Sequence, residues 1–317
     1  MKNNVLTPGL ADAMVRVTEL AAIAAAKEVG RGDEKKADAA AVDAMRTAFN
    51  AVDFKGRVVI GEGERDEAPM LYIGEEVGTN NGPEIDIALD PLEGTTLTAK
   101  AMANALAVLA IAPRGGLLHA PDTYMDKVAV GPGYPDGIIS LDATPAENIT
   151  ALAKHKGVPV SEMTACVLDR PRHEEIIASL RGVGARIALI TDGDVAGIIA
   201  TTDPQTGIDF YVGSGGAPEG VLAAAALKCV GGQMYARLVF RNDDEKKRAT
   251  RVGITDFGRT YSLNELASGE TVFCATGVTN GSLLNGVKHG TGRVHTHTLV
   301  MTSTDGMVRH VRSDRKA

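Results

Sequence analysis

The chain has 317 residues, of which 44% are hydrophobic, and its formal net charge is −7 with an isoelectric point near 5.6. This length predicts about two domains, and the hydrophobic content is ample for buried cores. A general nucleic-acid binder is excluded, because such proteins need a surplus of lysine and arginine. A small anionic substrate would therefore have to be attracted locally, by metal ions and particular arginines.

The cysteines indicate the cellular compartment. Cys166, Cys229 and Cys274 are odd in number and widely spaced, with no CxxC pair. This pattern argues for a reducing environment and against a disulfide framework or zinc cluster. The sequence also shows no signal peptide and no apolar run long enough for a transmembrane helix. We therefore expect a soluble, cytoplasmic, globular protein without a membrane partner.

Helices and strands alternate along the whole chain, without low-complexity linkers or internal repeats. The first half is predicted to contain helices at residues 10–28 and 38–52 and strands at 58–61, 85–89 and 105–112, with Tyr124 on or beside a hairpin. The second half is predicted to contain helices at 149–156, 174–180 and 195–200 and strands at 164–168, 186–190 and 294–302. We predict an α/β fold with two halves, 1–148 and 149–317, although the strand at 294–302 could belong to either half.

Acidic residues cluster where two early strands end. The segment VVIGEGERDE places Glu62, Glu64, Asp66 and Glu67 directly after a strand. Four acids so close together repel each other unless cations or solvent offset their charge. Asp38 begins the preceding helix, where an acid can simply complement the helix dipole, so alone it is uninformative.

The segment IDIALDPLEGTT is the most informative in the chain. A short apolar strand leads to Asp90, a proline turn and Glu93 follow, and Gly94-Thr95-Thr96 is predicted to open an alanine-rich helix. Carboxylates bind hard divalent cations such as Mg²⁺ or Mn²⁺. The free N–H groups of a helix N-terminus bind phosphate. A metal and a phosphate at one strand end indicate phosphoryl chemistry.

Three segments of the second half also follow strands. DRPRH supplies Arg170 and Arg172, whose planar guanidinium groups match phosphate oxygens, and DGD at residues 192–194 can cap a helix or accept hydroxyl hydrogens from a polyol. GSGGAPEG at 213–220 lets backbone N–H groups approach an anion and places Glu219 beside the next helix, as a candidate metal ligand. The alternative for each segment is a solvated surface loop.

Other features are assigned structural roles. His295 and His297 lie on one strand face without a third ligand, which is typical of an ordinary polar strand. AAAALKC at 223–229 is predicted to be a core helix, and 243–248 a solvated loop. The basic end RHVRSDRKA either frays or binds a neighbouring subunit.

Taken together, these segments resemble the class II fructose-1,6-bisphosphatases, relatives of the metal-dependent, lithium-sensitive sugar and inositol phosphatases. The resemblance covers about residues 16–300 and rests on the ordered set RGD with Asp38 downstream, VIGEGERDEAPMLYIGE, DPLEGT, ANALAVLA, APDTYM, RPRH, DGD and GGAPEG. It implies a layered α/β/α/β/α fold with the active site between a metal-binding and a substrate-binding half. The implied reaction removes the 1-phosphate of fructose 1,6-bisphosphate, giving fructose 6-phosphate and phosphate in gluconeogenesis or carbon fixation.

The resemblance also implies roles for individual residues. The implied metal ligands for Mn²⁺ or Mg²⁺ are Asp38, Glu62, Asp90, Glu93 and Glu219. The implied substrate-binding residues are Glu93, Gly94, Thr95, Tyr124, Arg170, Pro171, Arg172, Asp192, Gly193, Asp194 and Gly216. The implied catalytic residues are Glu62, Asp90, Thr95 and Asp66. A homo-oligomer, dimeric or tetrameric, is expected.

One position departs from the family pattern. Where the family often has lysine directly after the RGD-like aspartate, this chain has Glu34, followed by Lys35 and Lys36. Either Lys35 takes the place of that lysine by a small loop shift, or the activity is altered.

Within this reading, Glu62 and Thr95 would orient the attacking water, N–H groups around Gly94 would hold phosphate oxygens, and Arg172 would hold the uncleaved phosphate. Sedoheptulose 1,7-bisphosphate is an alternative or additional substrate, and an inositol or nucleotide phosphatase matches the second-half segments less well. An NAD-binding dehydrogenase lacks support, because GVGARI lacks the third glycine and precedes its strand. A non-catalytic sugar-phosphate sensor would have lost the metal-binding acids, and all five are present.

Overall fold

The computed structural model of the chain describes residues 5–63 and 70–316. Their helices are α1 (Pro8–Ala26), α2 (Glu34–Phe49), α3 (Thr95–Ala99), α4 (Pro145–Lys156), α5 (Glu174–Gly182), α6 (Asp194–Ile199), α7 (Ala217–Val230), α8 (Asp243–Arg251) and α9 (Leu263–Leu266). Their strands are β1 (Lys55–Ile60), β2 (Glu76–Val77), β3 (Glu84–Glu93), β4 (Leu106–Pro113), β5 (Tyr124–Val130), β6 (Thr164–Leu168), β7 (Arg186–Ile190), β8 (Phe210–Gly216), β9 (Gln233–Val239), β10 (Thr260–Ser262), β11 (Val272–Gly277), β12 (Lys288–Gly290), β13 (Arg293–Thr302) and β14 (Met307–Lys316). In these two ranges, no helix has both the length and the apolar character needed to cross a bilayer.

The chain forms two compact units, and the first of them is discontinuous in sequence. The first unit comprises the residues up to Leu118 together with those from Ala267 onward, and the second unit is His119–Leu266. The predicted halves, 1–148 and 149–317, do not coincide with these units. The reason is strand pairing, since β5 pairs with β8 and β9, whereas β11 pairs with β4 and β13.

The first unit is an α/β arrangement around an eight-stranded, mostly antiparallel sheet. Its strand order is β12-β13-β11-β4-β3-β1-β2, with β14 on the outer side of β13. Ile85, Ile87 and Leu89 alternate along β3 and pack in one buried cluster with Met14 of α1 and Met45 of α2. The two long helices therefore cover one face of this sheet with their apolar sides.

The second unit has a six-stranded sheet in the order β10-β9-β5-β8-β6-β7. Val128 and Val130 of β5 face a core that includes Ile149 and Leu152 of α4. The intervening residues of β5 face α7, which approaches so closely that a Cβ at Gly220 would lie 2.4 Å from the Met125 sulfur. Helices thus pack on both faces of this sheet, and the predicted α/β class is confirmed.

Several predicted elements agree closely with the structure, whereas two helix assignments need correction. Strands β6 and β7 have the predicted limits, and α7 is buried along 223–227 as expected of a core helix. Helix α2 begins at Glu34, because the Asp33 side chain accepts a hydrogen bond from the Lys36 N–H as its N-cap. Asp38 therefore lies in the second turn and not the first. Residues 243–248 belong to helix α8 and are not a loop.

Two further segments are strands where the sequence suggested less regular structure. Gly213 and Gly216 were predicted to follow a strand, but they lie within β8, paired with Lys127 and Tyr124 of β5. The basic C-terminal segment neither frays nor remains unpaired, because β14 pairs with β13 over ten residues. His297 is buried in this hairpin, with its Nε2 3.1 Å from Nδ1 of His310.

Candidate active site

Two predicted acidic residues lie at one edge of the first unit's sheet. Strands β1 and β3 are parallel neighbours, and Ile60 is paired with Ala88. Glu62 follows the carboxyl end of β1, and Asp90 lies near the carboxyl end of β3, so both lie at the same end of two adjacent parallel strands. Ligand sites of open α/β sheets lie at this type of edge.

Asp38 and Glu62 form a pair of neighbouring carboxylates. Glu62 retains a partly exposed surface, yet its carboxylate is largely enclosed by protein. Burial, and then the negative charge of Asp38, raise the pKa of Glu62 to about 8, and burial raises the pKa of Asp38. Two largely enclosed carboxylates that repel each other would be stabilised by a bound cation.

The segment after Asp90 keeps strand geometry for longer than the sequence suggested. The Asp90 carboxylate accepts a hydrogen bond from the Leu92 N–H at 3.0 Å, and a register shift between Asp90 and Glu93 marks a bulge against β4. Glu93 is buried as the last residue of β3. Gly94 has φ 88°, a left-handed conformation, and a Cβ there would also lie 2.8 Å from Leu97.

The helix that follows Gly94 is only five residues long, with Thr95 as its first residue. A helix does begin here as predicted, but it ends at Ala99 and is not rich in alanine. A helix this short has a weak dipole, so the backbone N–H groups of the turn are the main feature able to contact an anion.

Glu34, the departure from the family pattern, contacts this turn. Its Oε1 accepts a hydrogen bond from the Thr96 hydroxyl at 2.8 Å. The loop before α2 is held to the same segment by backbone hydrogen bonds from Gly30 N–H to Thr98 O and from Gly32 N–H to Ala99 O. Glu34 thus connects the start of α2 with the residues after β3.

In residues 5–63 and 70–316, no group of three or more acidic, histidine or cysteine side chains has the arrangement of a metal site. The predicted catalytic residue Asp66 lies outside these ranges. The Asp38–Glu62 pair is therefore the feature of the first unit that best fits a divalent cation, because hard cations bind carboxylate oxygens.

A fully buried lysine organises the site residues of the second unit. Lys127 lies on the α7-facing side of β5, and its ammonium forms an ion pair with Asp194. The ammonium also donates to the Gly216 carbonyl at 2.8 Å, and the Tyr211 hydroxyl donates to Asp194 at 3.4 Å. Asp194 is therefore engaged by protein groups, whereas the sequence suggested a partner for substrate hydroxyls.

Glu219 lies in the first turn of α7, beside this ion pair. Its Oε2 atom is buried and receives no hydrogen bond from the part of the chain that the structure describes. Burial, and then the charge of Asp194, raise the pKa of Glu219 to about 7, although Lys127 acts in the opposite direction. A Cβ at Gly216 would lie 1.9 Å from the Glu219 carboxylate, so this close approach requires glycine. One surplus buried carboxylate also fits a cation.

Arg172 is held by a network around Ser214. Nε and Nη2 of Arg172 donate to the Ser214 carbonyl at 3.0 and 2.8 Å, and the Ser214 N–H donates to Nε2 of buried His173 at 2.8 Å. Nδ1 of His173 lies 2.7 Å from the Leu168 carbonyl, which fixes its hydrogen on that nitrogen. Burial lowers the pKa of His173, so the neutral ring that this network needs is favoured.

The remaining predicted substrate residues of the second unit are held by fewer hydrogen bonds. Tyr124 begins β5, and the guanidinium carbon of Arg172 lies 4.9 Å from its ring centroid. Arg170 donates to the Asp169 carbonyl at 3.3 Å, and Pro171 opens the short 3₁₀ turn that carries Arg172. Gly193 has φ 81° as the residue before α6, and its N–H donates to the Asp192 carboxylate.

Sequence reasoning missed Lys127 and His173, which hold the predicted residues in place. Lys127 had a recognisable signal, because in YMDKVAV it takes a position between Met125 and Ala129 where alternation requires a buried side chain. His173 had none, because its two partners are the backbone groups of Leu168 and Ser214.

Comparison with known proteins identifies the class to which these features belong. Residues 8–315 match the family described as bacterial fructose-1,6-bisphosphatase, glpX-encoded. The chain therefore belongs to this family of phosphatases. The predicted family and the predicted enzyme class, a fructose-bisphosphatase, are confirmed.

Individual relatives agree with this assignment along nearly their whole length. The chain is 45% identical over 319 residues to fructose-1,6-bisphosphatase 1 class 2 of Escherichia coli (strain K12), covering 95% of this chain and 94% of the relative. It is 44% identical over 314 residues to the D-fructose 1,6-bisphosphatase class 2/sedoheptulose 1,7-bisphosphatase of Prochlorococcus marinus (strain NATL1A), covering 95% and 94%. A protein of the same description from Synechococcus sp. (strain JA-3-3Ab) is 44% identical over 323 residues, covering 94% and 93%.

Proposed function

We propose that this protein hydrolyses the 1-phosphate of fructose 1,6-bisphosphate, with divalent metal ions, to give fructose 6-phosphate and phosphate. The observation that carries the proposal is the Asp38–Glu62 pair, two mutually repelling carboxylates beside the carboxyl end of β1. In a chain that matches a fructose-1,6-bisphosphatase family from residue 8 to residue 315, such a pair is best explained by a bound cation.

The residues proposed to hold Mn²⁺ or Mg²⁺ are Asp38, Glu62, Asp90, Glu93 and Glu219. When bound, the metal would supply charge neutralisation for phosphate and acidify a bound water. The raised pKa values of Glu62 and Glu219 support this assignment, because a carboxylate that lacks cationic partners takes up a proton more readily.

The proposed catalytic residues are Glu62, Asp90, Thr95 and Asp66. Asp90 is proposed as a catalytic acid, and so, from the family resemblance alone, is Asp66. Glu62 and Thr95 would orient the attacking water, and backbone N–H groups around Gly94 and Thr95 would hold phosphate oxygens. The left-handed conformation of Gly94 supports this role, because it turns the backbone sharply at the point where the phosphate would bind.

The substrate is proposed to be held by Tyr124, by Arg170, Pro171 and Arg172, and by the residues around Gly193 and Gly216. Arg172 would bind the phosphate that is not cleaved, since its guanidinium is fixed by Ser214 and retains further N–H donors. Asp192 would accept sugar hydroxyls. Asp194 would act through Lys127, with which it is paired, by keeping Gly216 and Glu219 in position.

A second activity on sedoheptulose 1,7-bisphosphate is also proposed. Two relatives at 44% identity carry both activities in their names. A seven-carbon bisphosphate presents the same scissile 1-phosphate and differs in the distance to the second phosphate. The residues that bind this second phosphate would therefore determine which sugar is preferred.

The proposal is tested by phosphate release from fructose 1,6-bisphosphate, sedoheptulose 1,7-bisphosphate and inositol 1-phosphate, with Mn²⁺, with Mg²⁺ and with EDTA. We expect turnover of the bisphosphates with either metal and none in EDTA, since the carboxylate sites need the cation. Turnover of inositol 1-phosphate at a comparable rate would contradict the substrate assignment. A folded protein inactive on all three compounds would favour a sensor, and Glu34→Lys would then show whether that departure from the family pattern is responsible.

A homo-oligomer is proposed, with a second copy of the chain covering the groove between α1 and α2. The floor of this groove is apolar and includes Val17, Leu20 and Ala48. Its α1 side carries Arg16 and Lys27, whereas its α2 side carries Asp43 and Asp53. Rims of opposite charge are self-complementary about a two-fold axis, because the basic rim of one copy can face the acidic rim of the other.

Reversing one rim charge tests this interface. Arg16→Glu is expected to weaken the dimer about tenfold or more, because it places like charges opposite each other. Arg16→Glu combined with Asp43→Arg is expected to restore association. Analytical ultracentrifugation measures both, with Lys154→Glu at an exposed position of α4 as the control. A mass unaffected by the single reversal would rule this groove out as the interface.

A cytoplasmic location is proposed from the state of the cysteines. Cys166, Cys229 and Cys274 are all buried, and no disulfide joins them. Buried thiols without disulfides are typical of proteins that function in a reducing compartment. Gluconeogenesis or carbon fixation would supply the bisphosphate there.

A further inference from the structure

Two arginines from different segments meet at the ring of Tyr124. The guanidinium carbon of Arg172 lies 4.9 Å from the ring centroid, and that of Arg241 lies 4.7 Å from it. Arg241 follows β9, and β9 is the strand paired with β5 at Tyr124. The pairing of β5 and β9 thus brings a guanidinium that no sequence motif indicated to a predicted substrate-binding residue.

The side chain of Arg241 is held in place by the carboxylate of Glu245. Its Nε donates to the Glu245 carboxylate at 2.7 Å, and its backbone N–H donates to the other oxygen of that group at 2.7 Å. Glu245 is buried and also accepts the Thr123 hydroxyl at 2.8 Å. A guanidinium held on one side by a buried carboxylate is preorganised, so less entropy is lost when it binds a ligand.

The side of this guanidinium that points away from Glu245 is exposed to solvent. The Arg241 side chain is 54% exposed. A guanidinium has five N–H donors, and no hydrogen bond within the described part of the chain reaches Nη1 of Arg172 or of Arg241. Both guanidinium groups lie within 4.9 Å of the centroid of one ring, and both have unused N–H donors that can donate to a phosphate monoester bound beside Tyr124.

We propose that Arg241 is a further substrate-binding residue that, together with Arg172, binds the phosphate of the sugar bisphosphate that is not cleaved. The proposal rests on the proposed function and adds a specificity role, because Arg241 discriminates a bisphosphate from a sugar monophosphate. Tyr124 contacts both guanidinium groups and thereby holds them at one site.

The chain supplies a matched control. Arg259 is also paired with a glutamate, Glu265, is 50% exposed, and lies 5.1 Å over the ring of Tyr261. It therefore has the same local chemistry as Arg241, but its tyrosine was not predicted to bind substrate. Arg259→Met reports the effect of losing such an arginine where no phosphate is expected.

Steady-state kinetics and calorimetric titration with fructose 1,6-bisphosphate test the proposal. Arg241→Met is expected to raise KM and Kd by about tenfold or more, the effect of a lost charge-assisted hydrogen bond, with kcat within about twofold of wild type. Arg259→Met should leave all three constants unchanged. Arg241→Lys keeps a charge beside Glu245 but loses the planar guanidinium. Its KM and Kd should therefore lie between those of the wild type and those of Arg241→Met.

The possible failures are distinguishable. Absence of turnover by the wild-type protein contradicts the proposed function, and the calorimetric Kd still measures the role of Arg241. If Arg241→Met and Arg259→Met give the same KM and Kd within about twofold, Arg241 is a structural residue only and the inference is overturned. Thermal unfolding of the three variants shows whether the loss of Glu245's partner has damaged the fold.

Discussion

Replacing Glu62 with glutamine is expected to lower kcat for fructose 1,6-bisphosphate by about 10²- to 10⁴-fold, the usual contribution of a positioned acid–base group. The substitution keeps the shape of the side chain but removes the charge that faces Asp38 and that would orient the attacking water. The same change is expected to leave the metal-free protein at least as stable as wild type, because it removes the repulsion between the two carboxylates. Phosphate release and denaturant unfolding in EDTA measure the two effects.

The same variant changes how stability depends on pH. In the folded metal-free protein the pKa of Glu62 is about 8, above its ordinary value of 4.5, so the folded state binds this proton more tightly than the unfolded chain. The resulting stabilisation is complete below pH 4.5 and is lost as the pH rises to about 8. Glu62→Gln should flatten this decline. An equally steep decline in the variant, or full activity, would contradict the role given to Glu62.

Lys127→Met is expected to lower the free energy of unfolding by about 3–5 kcal/mol, because it leaves the buried Asp194 carboxylate without its cation. The Gly216 carbonyl also loses a donor, so the start of α7 with Glu219 is expected to shift. Denaturant unfolding monitored by circular dichroism measures the loss.

Two variants show whether the effect comes from the buried charge. Lys228→Met on α7 removes a partly exposed lysine bonded to Asn264 and should cost less than about 0.5 kcal/mol. Lys127→Met combined with Asp194→Asn removes both charges and should recover part of the loss. A cost for Lys127→Met no larger than that for Lys228→Met would refute a structural role for the ion pair.

The sequence alone was sufficient to predict those strands whose limits depend on the local residue pattern. Strands β6 and β7 were predicted to the residue because short apolar runs end in clear turn or polar signals. Helix α8 was missed because it has almost no apolar face. It is stabilised instead by the Asn242 N-cap and by pairs such as Lys247 with Asp244.

The site could be predicted as a set of residues but not as a network. Asp38, Glu62 and Glu219 could be named from motifs that follow strands. The ion pair of Lys127 with Asp194 joins residues 67 positions apart, and no local rule connects them. Arg241 reaches Tyr124 only because β9 pairs with β5, a register that depends on the whole sheet.

The division of the chain into units could not be read from composition either. No linker marks residue 118 or residue 267, because the chain passes between units through ordinary short connections. The decisive information is that β11 pairs with β4, a contact between strands separated by the whole second unit.

This discontinuity has a consequence for synthesis on the ribosome. The second unit is one continuous segment and is complete when residue 266 has emerged, whereas β4 still lacks its neighbour β11. Until that strand is translated, the apolar strand Leu106–Pro113 presents an open edge, the kind of surface at which nascent chains associate wrongly. The first unit begins to be translated first but can complete its sheet only after the second unit has been translated. Its dependence on chaperones should therefore be greatest while the ribosome is still translating residues 119–271.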